Sequence, residues 1–217
     1  CMNNPVNSID PDGRKIVIAG NREQRLRVLT ELQKLTNDKL GVKYNGVVTI
    51  RANGTKNRGM KLTTGTSLIS ELVGHKRTVE IMPGEDYHEH DVYRRDAFNG
   101  KGTDVELYYN FDDPVSTIVH DRNTGKSIEE SIPRHIALGH ELIHTHRSMN
   151  GVAKDKNKMV RYSYTGVDGS SHEESAPIEE LETTGIKYID NFIRNYKFTE
   201  NKLRKEENLN ERLRYYE

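Results

Sequence analysis

Two histidines spaced four residues apart restrict the fold more than any other feature of this sequence. His140 and His144 lie in the stretch HELIH, inside a segment over 133–149 whose pattern predicts a helix. A proline at the start of this segment and Asn-Gly just after it are the usual helix boundaries. Residues four apart lie on one face of a helix, so both imidazoles point the same way. A fold that uses this pair must bring further groups to that face.

Between these histidines, Glu141 supplies a carboxylate next to the same face. The H-E-x-x-H pattern on a helix is typical of a zinc site, in which two imidazoles bind the ion and the glutamate holds a water molecule. Zinc lowers the pKa of bound water toward about 7, and Glu141 then acts as the general base for attack on a carbonyl. The sequence therefore predicts one zinc ion per chain and hydrolytic chemistry.

Two imidazoles leave a zinc ion under-coordinated, so a third protein ligand is expected. Arg147 stands three residues after His144, where a longer histidine motif has glycine, and His146 falls on the wrong face of the helix. The ligand is expected from another helix, and the stretch IEELETTG at 178–185 is an acidic helix start. Carboxylates there equally suit the positive end of a helix dipole. A glutamate that faced the ion would complete a His₂Glu site with one open position, the catalytic pattern.

The stretch HELIHTHRSMNG resembles the zinc helix of the clostridial neurotoxin light chains, and EELETTG resembles their EEL-x-T-x-G segment. The same pair of motifs is typical of bacterial type III effector zinc metallopeptidases and of related Rhs-borne toxin domains. The resemblance covers about 132–185 and the C-terminal segment. It implies a zincin-like fold and a zinc-dependent metalloendopeptidase of the gluzincin type.

The resemblance also implies roles for four residues outside the HELIH stretch. It assigns Glu180 as the third zinc ligand and Glu179 as a supporting group beside the metal helix. An Arg-x-x-Tyr pair stabilises the oxyanion in that family, and its nearest match here is Arg212 with Tyr215. Arg194 with Tyr196 is the rival pair for the same role.

The first thirteen residues, CMNNPVNSIDPDG, are rich in turn-forming residues. They resemble the closing NPVN-x-x-DP-x-G stretch of an Rhs/YD-repeat core, which precedes a variable toxin domain. This resemblance implies that 1–13 is a core remnant or linker and that 14–217 is the toxin domain of a larger Rhs cage. The implied protein is secreted by bacteria through a specialised system, acts in the target-cell cytoplasm, and has a possible cognate immunity protein. Because the sequence begins with Cys1, we expect a fragment or a processed product.

The amino-acid composition restricts the classes of molecule that this chain is expected to bind. The 33 lysines and arginines balance 33 aspartates and glutamates, so no global field draws the chain to nucleic acid or anionic lipid. Basic residues are dispersed among acidic ones, which argues against a nucleic-acid groove. No apolar run is long enough for a membrane helix, and the single cysteine excludes an internal disulfide. A protein substrate is the expected partner.

The predicted fold class is α+β, with a small, mostly antiparallel sheet packed on the H-E-x-x-H helix and a helical C-terminal half. We predict a loop or lid over 154–171 between the two zinc motifs. The predicted helices cover 21–40, 68–73, 133–149, 175–196 and 199–207, and the predicted strands cover 46–52, 77–82, 105–111 and 115–119.

The expected function is hydrolysis of peptide bonds in a target-cell protein, which would lie extended beside an edge strand. We expect Val105–Phe111 to be that edge. Two other classes compete: a metal-dependent nuclease, which normally needs a basic groove, and a non-catalytic zinc-binding module. His88 and His90 flank Glu89 in an extended segment, which suggests a second metal site or a turn-rich surface loop.

Overall fold

The computed structural model describes residues 15–54, 59, 61–84, 88–110, 112, 116–188 and 196–215. The predicted remnant or linker over 1–13 lies outside these residues. The described helices are α1 (Arg22–Lys34), α2 (Thr63–Val73), α3 (Arg134–Met149), α4 (Ile178–Thr184) and α5 (Glu200–Glu206). The described strands are β1 (Ile16–Ile18), β2 (Lys39–Val42), β3 (Val48–Ala52), β4 (Val79–Pro83), β5 (His88–Asp91), β6 (Val105–Tyr109), β7 (Ser116–His120), β8 (Ser127–Ser131), β9 (Met159–Thr165), β10 (Ser171–Pro177) and β11 (Glu211–Arg212).

Helix α1 is shorter than the leucine pattern predicts. Asn21 and Gln24 form a capping box at its start, in which each side chain bonds the other's backbone N–H. The helix ends at Lys34, and Leu40 belongs instead to β2, which pairs with β3. The predicted extension to Leu40 is wrong because the β2–β3 hairpin takes over that apolar residue for the core.

The sheet next to helix α3 has the strand order β1-β4-β6-β5. β1 pairs parallel with β4, and β4 pairs parallel with β6, whereas β5 pairs antiparallel with β6. The expectation of a mostly antiparallel sheet is therefore wrong for this sheet. The expectation that Val105–Phe111 is an edge strand is also wrong, since β6 is hydrogen-bonded on both sides; Phe111 itself lies outside the described residues.

Helix α3 packs on this sheet through one continuous apolar core. Its inward side contributes Ile136, Leu142 and Ile143, which are fully buried against residues of the sheet, α1 and α2. Full burial of each such side chain contributes about 1.5–3 kcal/mol to the stability of the fold. The two histidines of α3 face α5 and α4, where they contact Glu200 and Glu180. Among the described residues no helix is both long and apolar enough to cross a lipid bilayer.

The polar segment after α3 forms a hairpin. β9 and β10 pair antiparallel over seven residues each, so the predicted loop or lid over 154–171 contains strand β9 and the turn that leads into β10. β10 reaches Pro177, and α4 ends where Gly185 adopts a left-handed conformation with φ +89°. The predicted helix over 175–196 therefore contains only seven helical residues in its described part.

A three-stranded sheet of order β11-β7-β8 places the C-terminal segment beside this hairpin. Leu213 and Tyr215 pack against a second, smaller apolar cluster around Tyr162 and Leu181. The described part of the C-terminal half thus mixes five strands with three helices, and the expected helical half is wrong. Arg212 lies in β11, so the Arg-x-x-Tyr stretch begins in a strand.

Gly65 gives a test of how α2 packs on the end of α1. A Cβ at this position would lie 2.0 Å from the carbonyl oxygen of Leu35, the C-cap residue of α1. Glycine in a helix interior is normally about 0.5–1 kcal/mol worse than alanine. Here we expect the opposite: Gly65→Ala should lower the free energy of unfolding by about 1–3 kcal/mol because backbone must move.

The measurement is urea denaturation followed by circular dichroism. Gly74→Ala is the matched control, because Gly74 has an ordinary negative φ and its nearest neighbour to a Cβ is 3.4 Å away. We expect that control to change stability by less than about 0.5 kcal/mol. A stabilising Gly65→Ala would contradict the close approach.

Candidate metal centre

Three ligand atoms from two helices converge at one point. His140 and His144 come from α3, and Glu180 comes from the first turn of α4. The two histidine Nε2 atoms are 3.0 Å apart. Glu180 Oε2 lies 3.2 Å from His140 Nε2 and 2.9 Å from His144 Nε2. Within the described part of the chain, this is the only group of three or more His, Cys, Asp or Glu side chains close enough to share an ion.

Each imidazole is held from behind by a buried carboxylate. His140 Nδ1 lies 2.9 Å from Glu200 Oε2, and His144 Nδ1 lies 3.3 Å from Glu179 Oε1. Glu179 and Glu200 are almost completely buried. An ionised carboxylate only accepts hydrogen bonds, so each Nδ1 must carry a proton and donate it. Each Nε2 of a neutral imidazole then presents its lone pair to the ligand cluster.

Charge interactions shift the titration of these groups. Burial alone would lower the pKa of His140 and of His144, but their glutamate neighbours raise both above the ordinary value, for His144 by a large amount. Burial would raise the pKa of Glu180, yet the two histidines hold it well below its usual range. Three acceptor atoms that face one another in this way favour a positive charge between them.

Zinc fits this donor set. Four-coordinate zinc with bonds of about 2.0–2.1 Å separates its ligand atoms by about 3.3–3.4 Å, close to the distances here. Two neutral imidazoles and one carboxylate are the donors that zinc takes in catalytic sites, and both imidazoles have the carboxylate support that metal-bound histidines usually have.

Glu141 lies one position after His140 on α3 and is half-buried. Burial raises the pKa of its carboxyl group. The charges of His140 and His144 partly counteract this rise in pKa, whereas those of Glu180 and Glu89 add to it. The charges of all three residues of the ligand cluster thus act on Glu141. A carboxyl group with a raised pKa beside a metal-type cluster is suited to accept a proton.

Arg147 neutralises the carboxylates behind His144. It lies one turn after His144 on α3, and its side chain is 2% exposed. Its guanidinium donates from Nε and Nη2 to Glu179, at 2.6 and 2.9 Å, and from Nη2 to Glu182 at 2.6 Å. The backbone N–H of Lys154 also donates to Glu179 at 2.6 Å. The supporting carboxylate therefore has a partner for each oxygen.

Two arginines play the same part behind His140. Arg204 Nε donates to Glu200 Oε1 at 2.7 Å, and Arg212 Nη1 donates to Glu200 Oε2 at 2.8 Å. These arginines and His140 hold the pKa of Glu200 well below its usual range despite burial. Arg212 Nε also donates to the carbonyl oxygen of Arg214 at 2.8 Å. The ring of Tyr215 lies over the Arg212 guanidinium, 5.6 Å from centre to cation.

The structure brings together most of the residues that the sequence singled out. His140, His144 and Glu180 meet, and Glu179 contacts His144. Arg212 reaches the cluster only through Glu200. Arg194 of the rival pair lies outside the described residues, and its partner Tyr196 bonds His146, at 2.6 Å from its hydroxyl to Nδ1.

The segment of His88 and His90 is strand β5, which has an exposed histidine at each of these positions. His88 stacks on Tyr108, with 4.3 Å between ring centres, and His90 lies 3.4 Å from Glu106. Neither histidine belongs to a cluster of metal-ligand type in the described structure. The suggestion of a second metal site here therefore gains no support from the geometry.

Sequence reasoning missed Glu200, Arg204 and the role of Arg147. Arg147 follows His144 at the i+3 position of a helix, and this spacing was a usable signal for a group on the same face. Glu200 follows Thr199, whose side chain caps α5, and an acidic residue in a first turn is ordinary. Nothing local distinguishes it from any other helix start.

Comparisons with known proteins add three findings. The family model Peptidase_M91, with the description "Effector protein", matches residues 28–215. Among curated proteins no match is found. Among solved structures, the chain is similar to several of botulinum neurotoxins, of which three are described next.

The first is the light chain protease of serotype C1, at 15% identity over 48% of this chain and 27% of that chain, with a TM-score of 0.37. The second is the zinc-removed apo form of the type C light chain, at 15% identity over 67% and 32%, with a TM-score of 0.38. The third is the type D light chain, at 16% identity over 73% and 38%, with a TM-score of 0.35. The chain spans 27% to 38% of the length of these solved chains.

The buried ion pairs around Arg147 predict a large effect on stability. Arg147→Met should lower the free energy of unfolding of the metal-free protein by about 3–5 kcal/mol, because it leaves Glu179 and Glu182 buried without their cation. Arg161→Met is the matched control, since Arg161 lies 4.0 Å from Glu173 in an exposed pair on the hairpin. That change should cost less than about 1 kcal/mol. Equal midpoints of urea denaturation for the two variants would contradict the interpretation.

Proposed function

The chain belongs to the Peptidase_M91 family of effector proteins, and from this premise we propose that it is a zinc-dependent endopeptidase of the gluzincin type. His140, His144 and Glu180 are the proposed zinc ligands, with one ion per chain. Glu141 is the proposed general base. The proposed substrate is a protein of the target cell.

One observation carries this proposal: three acceptor atoms within 3.2 Å of one another, two of them imidazole nitrogens whose opposite nitrogens are tied to carboxylates. Such an arrangement is unfavourable without a cation among them, because the lone pairs repel. A structural zinc site normally has four protein ligands, whereas three leave a position for water. Glu141, near this position, favours a catalytic over a structural role.

The proposed mechanism assigns a separate task to each residue. A bound zinc ion supplies a Lewis acid that acidifies water and polarises a carbonyl group. Glu141 accepts the proton of the attacking water and later gives it to the leaving amine. Glu179 and Glu200 fix the tautomer and the ring orientation of His144 and His140. Arg147, Arg204 and Arg212 keep those two carboxylates ionised.

The oxyanion pair Arg212 and Tyr215 stays a prediction. In this structure the Arg212 guanidinium is directed at Glu200 and is almost fully buried, which supports a positioning task through His140. Tyr215 is partly exposed and lines a groove at the end of β10. Its hydroxyl is the better of the two for contact with a substrate oxygen.

Strand β5 replaces β6 as the proposed edge for an extended substrate. β5 is the outer strand of the main sheet on the side of α3, where Glu89 lies near Ser148 with 3.4 Å between their oxygens. Its backbone on the side away from β6 is not used by another described strand. A peptide that added to this edge would run past the ligand cluster.

The biological setting extends this proposal. We place 1–13 as the remnant or linker of an Rhs core and 14–217 as its toxin domain, with release by a bacterial secretion system and action in the target-cell cytoplasm. The N-terminal resemblance and the effector description of the family support this setting. The parent Rhs cage and a cognate immunity protein are its expected partners.

Replacement of the general base tests the proposal. Glu141→Gln should keep the fold and one zinc per chain, because glutamine has the same shape and Glu141 is not a ligand. Loss of proton transfer should lower kcat by about 10²–10⁴-fold. Metal content by mass spectrometry and proteolysis of a cell lysate, read as new N-termini, measure the two effects.

Glu173→Gln is the control, since Glu173 is exposed on β10 away from the ligand cluster. It should keep both zinc and activity. If Glu141→Gln cleaves as fast as the wild type, the assignment of Glu141 as the general base is wrong. If the wild type binds zinc but yields no new N-termini, a non-catalytic zinc module becomes the better interpretation.

A second test concerns the support of His140. Glu200→Gln removes the charge behind the imidazole and leaves Arg204 and Arg212 without their shared anion. Zinc affinity should fall by about 10–100-fold, the usual effect of losing such a partner. Competition with a chelating dye measures it. An unchanged affinity in a folded variant would contradict the role of Glu200.

A further inference from the structure

A groove at the end of β10 contains a lysine that the proposed mechanism does not use. The groove has a volume of about 530 Å³ and opens between the loop after α3 and the end of β10. Its lining includes Lys156, Glu174, Ser175, Pro177, Arg214 and Tyr215. β10 continues directly into α4, which carries Glu180 in its first turn. The groove is therefore lined as far as Pro177, the residue that precedes this helix.

The loop that carries Lys156 is tied down on both sides. Before it, the backbone N–H of Lys154 donates to Glu179 at 2.6 Å. After it, the carbonyl oxygen of Lys158 accepts the backbone N–H of Ile178, at the start of α4, at 2.9 Å. Between them, the N–H of Lys158 closes a turn on the carbonyl of Asp155 at 2.9 Å. Lys156 stands at a turn that is fixed to α4 rather than on a free loop.

Lys156 reaches from this turn across to the main sheet. Its Nζ lies 2.9 Å from Glu89 Oε1 on β5, and Glu89 is 4% exposed while Lys156 is 42% exposed. The side chain thus joins the β10 side of the site to the β5 side. An ammonium group has three N–H donors, and one carboxylate oxygen takes one of them. Because the side chain is 42% exposed and lines the groove, the remaining donors are accessible to a ligand there.

The acceptor on the opposite wall is already satisfied. Glu174 accepts hydrogen bonds from the hydroxyls of Tyr162 and Tyr164, at 3.0 and 2.8 Å. It also accepts two from Arg214, at 3.0 and 2.6 Å. A cationic ligand would find this carboxylate occupied by four donors. The groove therefore offers donors to a ligand and suits an anionic group.

We propose that Lys156 binds a carboxylate side chain of the peptide substrate, at one fixed position near the bond that is cleaved. Lys156 is then a specificity-determining residue of the same site. This inference rests on the proposed peptidase function. The substrate carboxylate would accept a second hydrogen bond from the Lys156 ammonium group, while Glu89 accepts the first and holds the lysine in place.

Electrostatics agrees with this geometry. Burial lowers the pKa of Lys156, but Glu89, and more weakly Glu180 and Glu141, raise it above the ordinary value. The lysine is therefore charged when the substrate binds. Glu89, the partner of Lys156, also lies 3.4 Å from the hydroxyl of Ser148, which is four residues after His144 on the same face of α3. A charge-assisted hydrogen bond at such a place discriminates strongly between acidic and neutral side chains.

The test is a specificity profile on a proteome-derived peptide library, with purified protein loaded with zinc and cleavage sites read by mass spectrometry. The wild type should show aspartate or glutamate enriched at one position. Peptides with Glu changed to Gln there should lose about tenfold or more in kcat/KM. Lys156→Glu should abolish the acidic preference and favour lysine or arginine at that position, whereas Lys156→Arg should keep the acidic preference.

Lys158→Glu is the matched control, with the same change of charge two residues along the same loop at an exposed position. It should leave the profile unchanged. Lys156→Gln is included in case the Lys156→Glu variant does not fold. It should keep its bound zinc and its circular dichroism spectrum and lose only the preference for acidic side chains. A wild type with no acidic preference, or a Lys156→Glu variant that keeps it, would overturn this inference alone. A wild type that cuts no peptide in the presence of zinc would overturn the proposed function and the inference with it.

Discussion

The hydrogen bond between each imidazole Nδ1 and a buried carboxylate is the interaction on which the rest of the structure depends. It turns both Nε2 atoms of the H-E-x-x-H helix toward one point and leaves them as acceptors. A carboxylate that is buried without a cation is very unfavourable, so each requires an arginine. Arg147 meets this need for Glu179, and Arg204 with Arg212 meets it for Glu200. The ligand geometry is therefore inseparable from three buried guanidinium groups.

These ion pairs decide where the C-terminal segments dock. The chain is only 33% hydrophobic, and its main apolar core lies between the four-stranded sheet and helices α1, α2 and α3. Around the ligand cluster, directional contacts fix α4, α5 and β11 as much as apolar burial does. Buried ion pairs give little net stability, yet removal of one partner is costly. They consequently favour one arrangement of these segments over its alternatives, which a site needs if its atoms are to be preorganised.

Local patterns predicted the helices better than the strands. The 3.6-residue period and flanking Pro and Asn-Gly gave the extent of α3 to within one residue. β9 and β10 were missed because their sequences, MVRYSYT and SHEESAP, are polar on one side and form a two-stranded hairpin that needs little apolar surface. The order of strands was also inaccessible. β6 has the same alternating pattern in the centre of a sheet as at its edge, because pairing depends on which other segments approach it.

The sequence by itself determined that His140 and His144 share a helix face with Glu141 beside them, because four residues and one residue are fixed rotations about a helix axis. It also pointed to the acidic segment of Glu180 through a resemblance between motifs. Only the tertiary structure decided that Glu200, sixty positions after His140, stands behind that imidazole. The same holds for Lys156 and Glu89, which meet across two elements. Contacts at such separations follow from the packing of whole segments, and no local period in the chain encodes them.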